Sequence, residues 1–161
     1  MLAYASIMHY IFTMTQNSTI GALRLLQAAD EFRAGLSGEL ASIHGLSVNE
    51  FLLMLHLERA PAQRLPRIEL AKRMHVSAST VTRMVAPMEK IGLLARDVDD
   101  RDARLGFVVI TKTGQSKLSE AMATFDKRAG YLFDDRWPDK EVILLSTMLR
   151  RAAPGAVGTL T

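Results

Sequence analysis

The hydrophobic positions of this chain hold a helical period over long stretches and break it near the middle. From Ser18 to His44 the apolar residues Leu25, Ala29, Phe32, Leu36, Leu40 and Ile43 recur at spacings of 4, 3, 4, 4 and 3, one stripe of a long helix. Gly45 predicts its stop. Ser47 then caps a second helix, with Glu50 three residues later completing a capping box and Phe51, Leu52 and Leu55 as the expected buried face. That helix ends before Pro61. The segment 60–66 reads as a loop with two prolines, in which Leu65 can form one short edge strand.

Arg67 to His75 predicts a short helix with Ile68, Leu70, Ala71 and Met74 available to the core. Val76-Ser77 turns the chain, and Ser77 can accept from the amides that open the next helix, Ala78 to Ile91, which Gly92 stops. Two short helices joined in this way make a helix-turn-helix. The period then changes to that of strands in Leu93–Val98 and Leu105–Ile110, connected by the charged loop Asp99–Arg104. Helical spacing returns as 4, 3, 4 and 3 in Leu118, Met122, Phe125, Ala129 and Leu132. This helix is capped near Thr111, Gly114 allows a close approach to the hairpin, and Trp137-Pro138 ends it. Val142, Leu145 and Leu149 mark a final helix.

The predicted fold is mainly α with a small β-hairpin wing: a winged helix-turn-helix with further helices at both ends. The parts are an N-terminal extension (1–17) without clear period, a long helix (18–46), the winged helix-turn-helix lobe (47–111), two C-terminal helices (112–152) and a tail (153–161). The extension is expected to pack on a partner subunit or to fray.

Within Ala78–Ile91, Val81, Val85 and Met88 form the inner face with Met84 beside them, while Ser79, Thr80, Thr82 and Arg83 point outward near the N-terminus. A recognition helix meets base edges there. Short hydroxyl side chains such as Ser77, Ser79, Thr80 and Thr82 permit close approach, and Arg83 can donate two parallel bonds to guanine O6 and N7. Pro87 removes the amide that would bond the carbonyl of Arg83. A kink is expected, with the ring on the outer side. In the loop, Arg101 can enter a minor groove and Arg104 can pair with Asp99 or Asp102. An exposed turn offers no pocket that would desolvate a general acid, so these carboxylates are not read as catalytic.

Charge sharpens this picture. The net charge of the 161 residues is only +3, but 64–90 carries six basic side chains (Arg64, Arg67, Lys72, Arg73, Arg83 and Lys90) against Glu69 and Glu89. The rest of the chain is slightly negative, so the basic excess coincides with the helix pair, as expected for a face that meets phosphates. Cysteine is absent, which excludes disulfides, thiolate metal sites and thiol-based sensing. The four histidines are not spaced for a metal site on one helix. No cofactor is expected. Mean hydropathy is +0.09, and the apolar start of the chain, 1–14, is too short to span a membrane and lacks a basic leader region. A cytoplasmic protein is expected.

The stretches LAKRMHVSASTVTRMV, MEKIGLLAR and DVDDRDARLGFVVITKTG resemble the multiple-antibiotic-resistance regulator (MarR) family of winged-helix transcription factors, over about Ser18 to Ala152. The resemblance implies a two-fold dimer joined by terminal helices, with 18–46 as a dimerisation or linker helix, 47–111 as the DNA-binding lobe and 112–152 as the C-terminal dimerisation helices. It also implies a pseudo-palindromic double-stranded DNA operator with one recognition helix per half-site, and a small ligand, often a phenolic or aromatic acid, in a cleft beside the dimerisation helices. The family wing commonly carries Asp-Arg-Arg; here the triplet is Asp102, Ala103, Arg104, with Arg101 earlier. Candidate ligand contacts are Arg33, His44, Phe51, Met54 and His56. The expected function is a DNA-binding regulator, a repressor released by its ligand. The alternative is a winged-helix protein-interaction module without DNA binding. No nucleophile–base pair, phosphate-cradling glycine loop or metal-ligand spacing points to an enzyme.

Overall fold

The computed structural model describes residues 2–98 and 106–152. The expected wing tip with Arg101 and Arg104, and the tail, lie outside the described residues. The elements are α1 (Leu2–Glu39), a π-turn (Leu40–His44), α2 (Val48–Glu58), β1 (Arg64–Pro66), α3 (Arg67–Arg73), α4 (Ala78–Lys90), β2 (Leu94–Val98), β3 (Gly106–Ile110), α5 (Lys112–Phe133) and α6 (Asp139–Ala152). The chain divides into two units, Met1–Gly38 and Glu39–Thr161. Among the described residues, no single helix is long and apolar enough to cross a membrane.

The first unit is one continuous helix, which takes in the N-terminal extension. The predicted stripe is only partly buried: Leu36 and Leu40 are enclosed, whereas Leu25 and Ile43 are exposed. Ile43 leaves the stripe because the helix widens into a π-turn at Leu40–His44, which shifts the face presented by the residues that follow. Gly45, with φ of 66°, closes that turn.

The second unit is built around α2. Ser47 and Glu50 form the predicted capping box, the Ser47 hydroxyl accepting from the Glu50 amide and the Glu50 carboxylate accepting from the Ser47 amide at 2.8 Å. Phe51, Leu53, Met54 and Leu57 have no exposed surface, while Leu52 and Leu55, expected inside, are half-buried. The buried arc is wider than one stripe because α2 is packed by α5, β3, β1 and α3 together. Leu65 lies in edge strand β1, and the sheet order is β1-β3-β2, antiparallel throughout. The expected hairpin is therefore the larger part of a three-stranded sheet.

On α3, Leu70 and Ala71 are buried, but Ile68 is 64% exposed. Two residues before Leu70 on a seven-residue helix, it falls on the face opposite to the α4 contact. The turn to α4 closes by bonds from His75 N to Lys72 O and from Val76 N to Ala71 O, the arrangement that normally places glycine in the left-handed position. Here that position is His75, with φ of 53°.

The last constraint joins the wing to α5. The Thr111 hydroxyl accepts from the Gly114 amide at 3.0 Å and donates to the Gly92 carbonyl at 2.7 Å. A Cβ on Gly114 would run into the Leu93 carbonyl and come within 2.8 Å of Ile110 Cγ1. Along α5, Leu118 and Ala121 are buried, but Leu132 is exposed, and α6 buries no residue at all.

Two stability changes of opposite sign follow. Gly114→Ala forces backbone atoms apart and is expected to cost roughly 1–3 kcal/mol in chemical denaturation. His75→Gly relieves a left-handed non-glycine residue and is expected to stabilise by about 1 kcal/mol, measured in the same way.

Candidate nucleic-acid interface

The recognition helix is fixed by what it buries. Val81 and Val85 have no exposed surface and Met88 almost none, so α4 cannot rotate without opening the core. That orientation leaves Ser77, Ser79, Thr82 and Arg83 exposed and Thr80 half-buried. Ser77 caps the helix through its hydroxyl, which accepts from the Thr80 amide at 3.2 Å. The same oxygen lies 2.8 Å from Ser79 Oγ and 2.9 Å from Thr80 Oγ1. Thr82 bonds back to the Ala78 carbonyl at 3.0 Å, and Arg83 reaches Thr80 Oγ1 only at 3.5 Å.

The N-terminal turn of α4 is thus a knot of hydroxyls partly satisfied by one another, with one long cation beside it. A hydroxyl that has donated internally can still accept, and one that has accepted can still donate, so the turn can meet either kind of base-edge group. Arg83 gives little up to reach DNA because its internal contact is long. Pro87 is exposed, as expected, and α4 runs through it to Lys90.

The basic excess is smaller than the sequence suggests. Arg64 donates to Asp97 at 2.6 Å, Arg73 to Glu69 at 2.9 Å, and Arg67 lies 3.7 Å from Glu89. Hydrogen bonding to Arg73 is the main cause that holds the Glu69 carboxyl below its usual value. Glu89 also accepts from Arg96 at 2.9 Å, and this bond is the main cause that raises the Arg96 guanidinium. Lys72, Arg83 and Lys90 form no ion pair among the described residues. They are the cations of 64–90 whose charge no carboxylate offsets directly. The pairs through Asp97 and Arg96 were not legible in the chain, since they join residues 33 and 7 positions apart with no periodic signal.

Residues 46–105 match the MarR family model, a span that runs from the start of α2 through the helix-turn-helix and into the wing. Over that span the chain is similar to the MarR family of transcriptional regulators, and it has a fold of the winged-helix type. It is 28% identical over 132 residues to YwaE of Bacillus subtilis strain 168, described as an uncharacterized HTH-type transcriptional regulator, covering 82% of this chain and 75% of that one. Among solved structures it is similar to Sco3205 of Streptomyces coelicolor, a MarR family regulator in complex with DNA. That match has a TM-score of 0.75 and 24% identity, and covers 85% of this chain and 89% of the other. It is also similar to CouR of Rhodococcus jostii RHA1 bound to p-coumaroyl-CoA, with a TM-score of 0.71 and 23% identity, covering 83% and 91% of the two chains.

The five candidate ligand residues are in different settings. Phe51 and Met54 are enclosed core residues, Phe51 stacking on Phe125 with ring centroids 5.7 Å apart, so neither reaches a ligand without displacement. His44 is half-buried, its Nε2 2.7 Å from Thr124 Oγ1. Arg33 is exposed on the first unit. His56 is half-buried on α2.

Burial, and after it the positive charges of Arg73 and Arg59, holds the His56 imidazole below its usual 6.5. As pH falls through 6.5 the unfolded chain takes up the proton first, so folding stability drops until the lowered folded value is passed. Thermal melts from about pH 7.5 down to about pH 5.5 should show this loss, and His56→Gln should flatten it. Equal slopes in the two proteins would remove His56 as the cause.

Proposed function

We propose that this regulator is a homodimeric repressor that reads a pseudo-palindromic operator through α4 and is released by a small aromatic or phenolic ligand. The observation that carries the readout is the outer face of α4. Ser79, Thr82 and Arg83 are exposed on a helix locked by three buried side chains, and the one carboxylate of α4, Glu89, lies near its C-terminal end and is held by Arg96. In this reading Ser77, Ser79, Thr80 and Thr82 contact phosphate or base edges, and Arg83 addresses a guanine. Arg101 and Arg104 serve the wing.

Dimerisation is supported by the apolar residues left uncovered at the C-terminal end: Leu132, Ile143, Leu144, Met148 and Leu149 are all exposed. Surface of that kind marks an interaction site in a soluble protein. Two copies would set two recognition helices about one helical turn, roughly 34 Å, apart. Support for an aromatic effector comes from CouR, whose structure holds p-coumaroyl-CoA. A ligand that favours a conformation with the wrong spacing releases DNA by as much as its differential affinity allows.

Selection from a pool of duplexes with a randomised core is the direct test. The expected product is a two-fold repeat, bound by a dimer with an affinity that falls steeply with salt. Arg83→Ala should lose discrimination at one position of each half-site, by about 1–3 kcal/mol, in competition binding. Undiminished discrimination would reject Arg83 as the reader. Failure to enrich any duplex would favour the protein-interaction module instead.

A further inference from the structure

Strand β2 is held on both faces by neighbouring residues. Arg96 bonds to Glu89 near the end of α4, and Asp97 accepts from Arg64. The second pair is unusual in its reach. β1 and β2 are not neighbours, because β3 runs between them. The Arg64 side chain therefore crosses the central strand, where its guanidinium lies 4.6 Å from the centroid of the Phe107 ring, before it meets Asp97. Two strand spacings are roughly 9–10 Å, a distance that suits a long, planar, multiply donating side chain.

The place of this strap is informative. Asp97 is the penultimate residue of β2 and Phe107 the second residue of β3, so the contact lies where the two wing strands lead to and from the loop. Arg64 is anchored to the helix-turn-helix, since β1 ends at Pro66 and α3 begins at the next residue. A carboxylate on a DNA-facing wing would repel phosphate unless it is neutralised, and Arg64 neutralises it.

We propose that Arg64 and Asp97 are positioning residues for DNA binding: their ion pair across Phe107 fixes the wing relative to the recognition helix without either side chain contacting DNA. The inference rests on the DNA-reading function proposed above. It assigns Arg64, nominally part of the basic patch, to internal bonding, and it reverses the usual expectation for removal of an acidic residue beside DNA. Loss of the Asp97 charge weakens binding.

Fluorescence anisotropy with the duplex enriched by the selection above tests this, alongside amide hydrogen exchange of the free protein. Asp97→Asn and Arg64→Gln are each expected to weaken binding about three- to tenfold and to speed exchange in β2 and β3. The dependence of log affinity on log salt should keep its wild-type slope. The double reversal Arg64→Asp with Asp97→Arg should recover both affinity and protection. Binding by Asp97→Asn as tight as wild type, or tighter, would overturn the inference. So would a salt slope shallower by about 0.9 in Arg64→Gln, the mark of a lost phosphate contact. If wild type enriches no duplex, the DNA-reading function fails and the inference falls with it, an outcome distinct from the other two.

Discussion

The Thr111 hydroxyl and the missing Cβ of Gly114 hold together three parts that would otherwise be joined only by chain. The hydroxyl donates to the carbonyl that follows the recognition helix and accepts from the first turn of α5. The Thr111 amide bonds the Leu93 carbonyl at 3.1 Å. Strand β3 ends one residue earlier, so the end of α4, the wing and α5 meet at a single point. The approach is closer than any side chain at position 114 would permit. Because bonded groups at such a junction cannot slide without leaving polar atoms unpaired, wing, recognition helix and the start of α5 share one orientation.

Charge on the same lobe has two uses that composition alone does not separate. A count of basic residues treats Arg64, Arg67 and Arg73 as equal to Arg83, yet the first three face carboxylates and serve packing. Their carboxylate partners reduce the lobe's field, and fewer cations remain to release counterions from DNA. Binding must then depend more on the geometry of α4 than on general attraction. That agrees with a recognition helix whose cap, hydroxyl cluster and buried valines all fix its attitude.

Much of this was legible in the chain because it depends on local chemistry. The Ser47–Glu50 box, the Ser77 and Thr111 caps, the stops at Gly45 and Gly92 and the close approach at Gly114 are short-range devices whose residue types announce them. The inner face of α4 was equally plain, since Val81, Val85 and Met88 keep a helical period. What failed was long-range. The burial of Leu53 and the half-burial of Leu55 depend on how many elements surround α2, Ile43 depends on a π-turn, and Ile68 on which side of a short helix meets α4. The Arg64–Asp97 pair depends on strand order, which spacing does not encode.

The junction at Thr111 also limits how the proposed effector would act. Melting the first turn of α5 would strand the Thr111 hydroxyl, the Gly114 amide and two carbonyls at once, a cost that a small ligand meets only with a large differential affinity. Moving α5 as a rigid rod costs less, because the junction travels with it and carries α4 and the wing along. In the proposed ligand-released dimer, motion of this kind would change the separation of the two recognition helices and leave each reading surface intact. The proposed ligand would then control whether two half-sites can be met together, while the residues on α4 would decide which half-site is met.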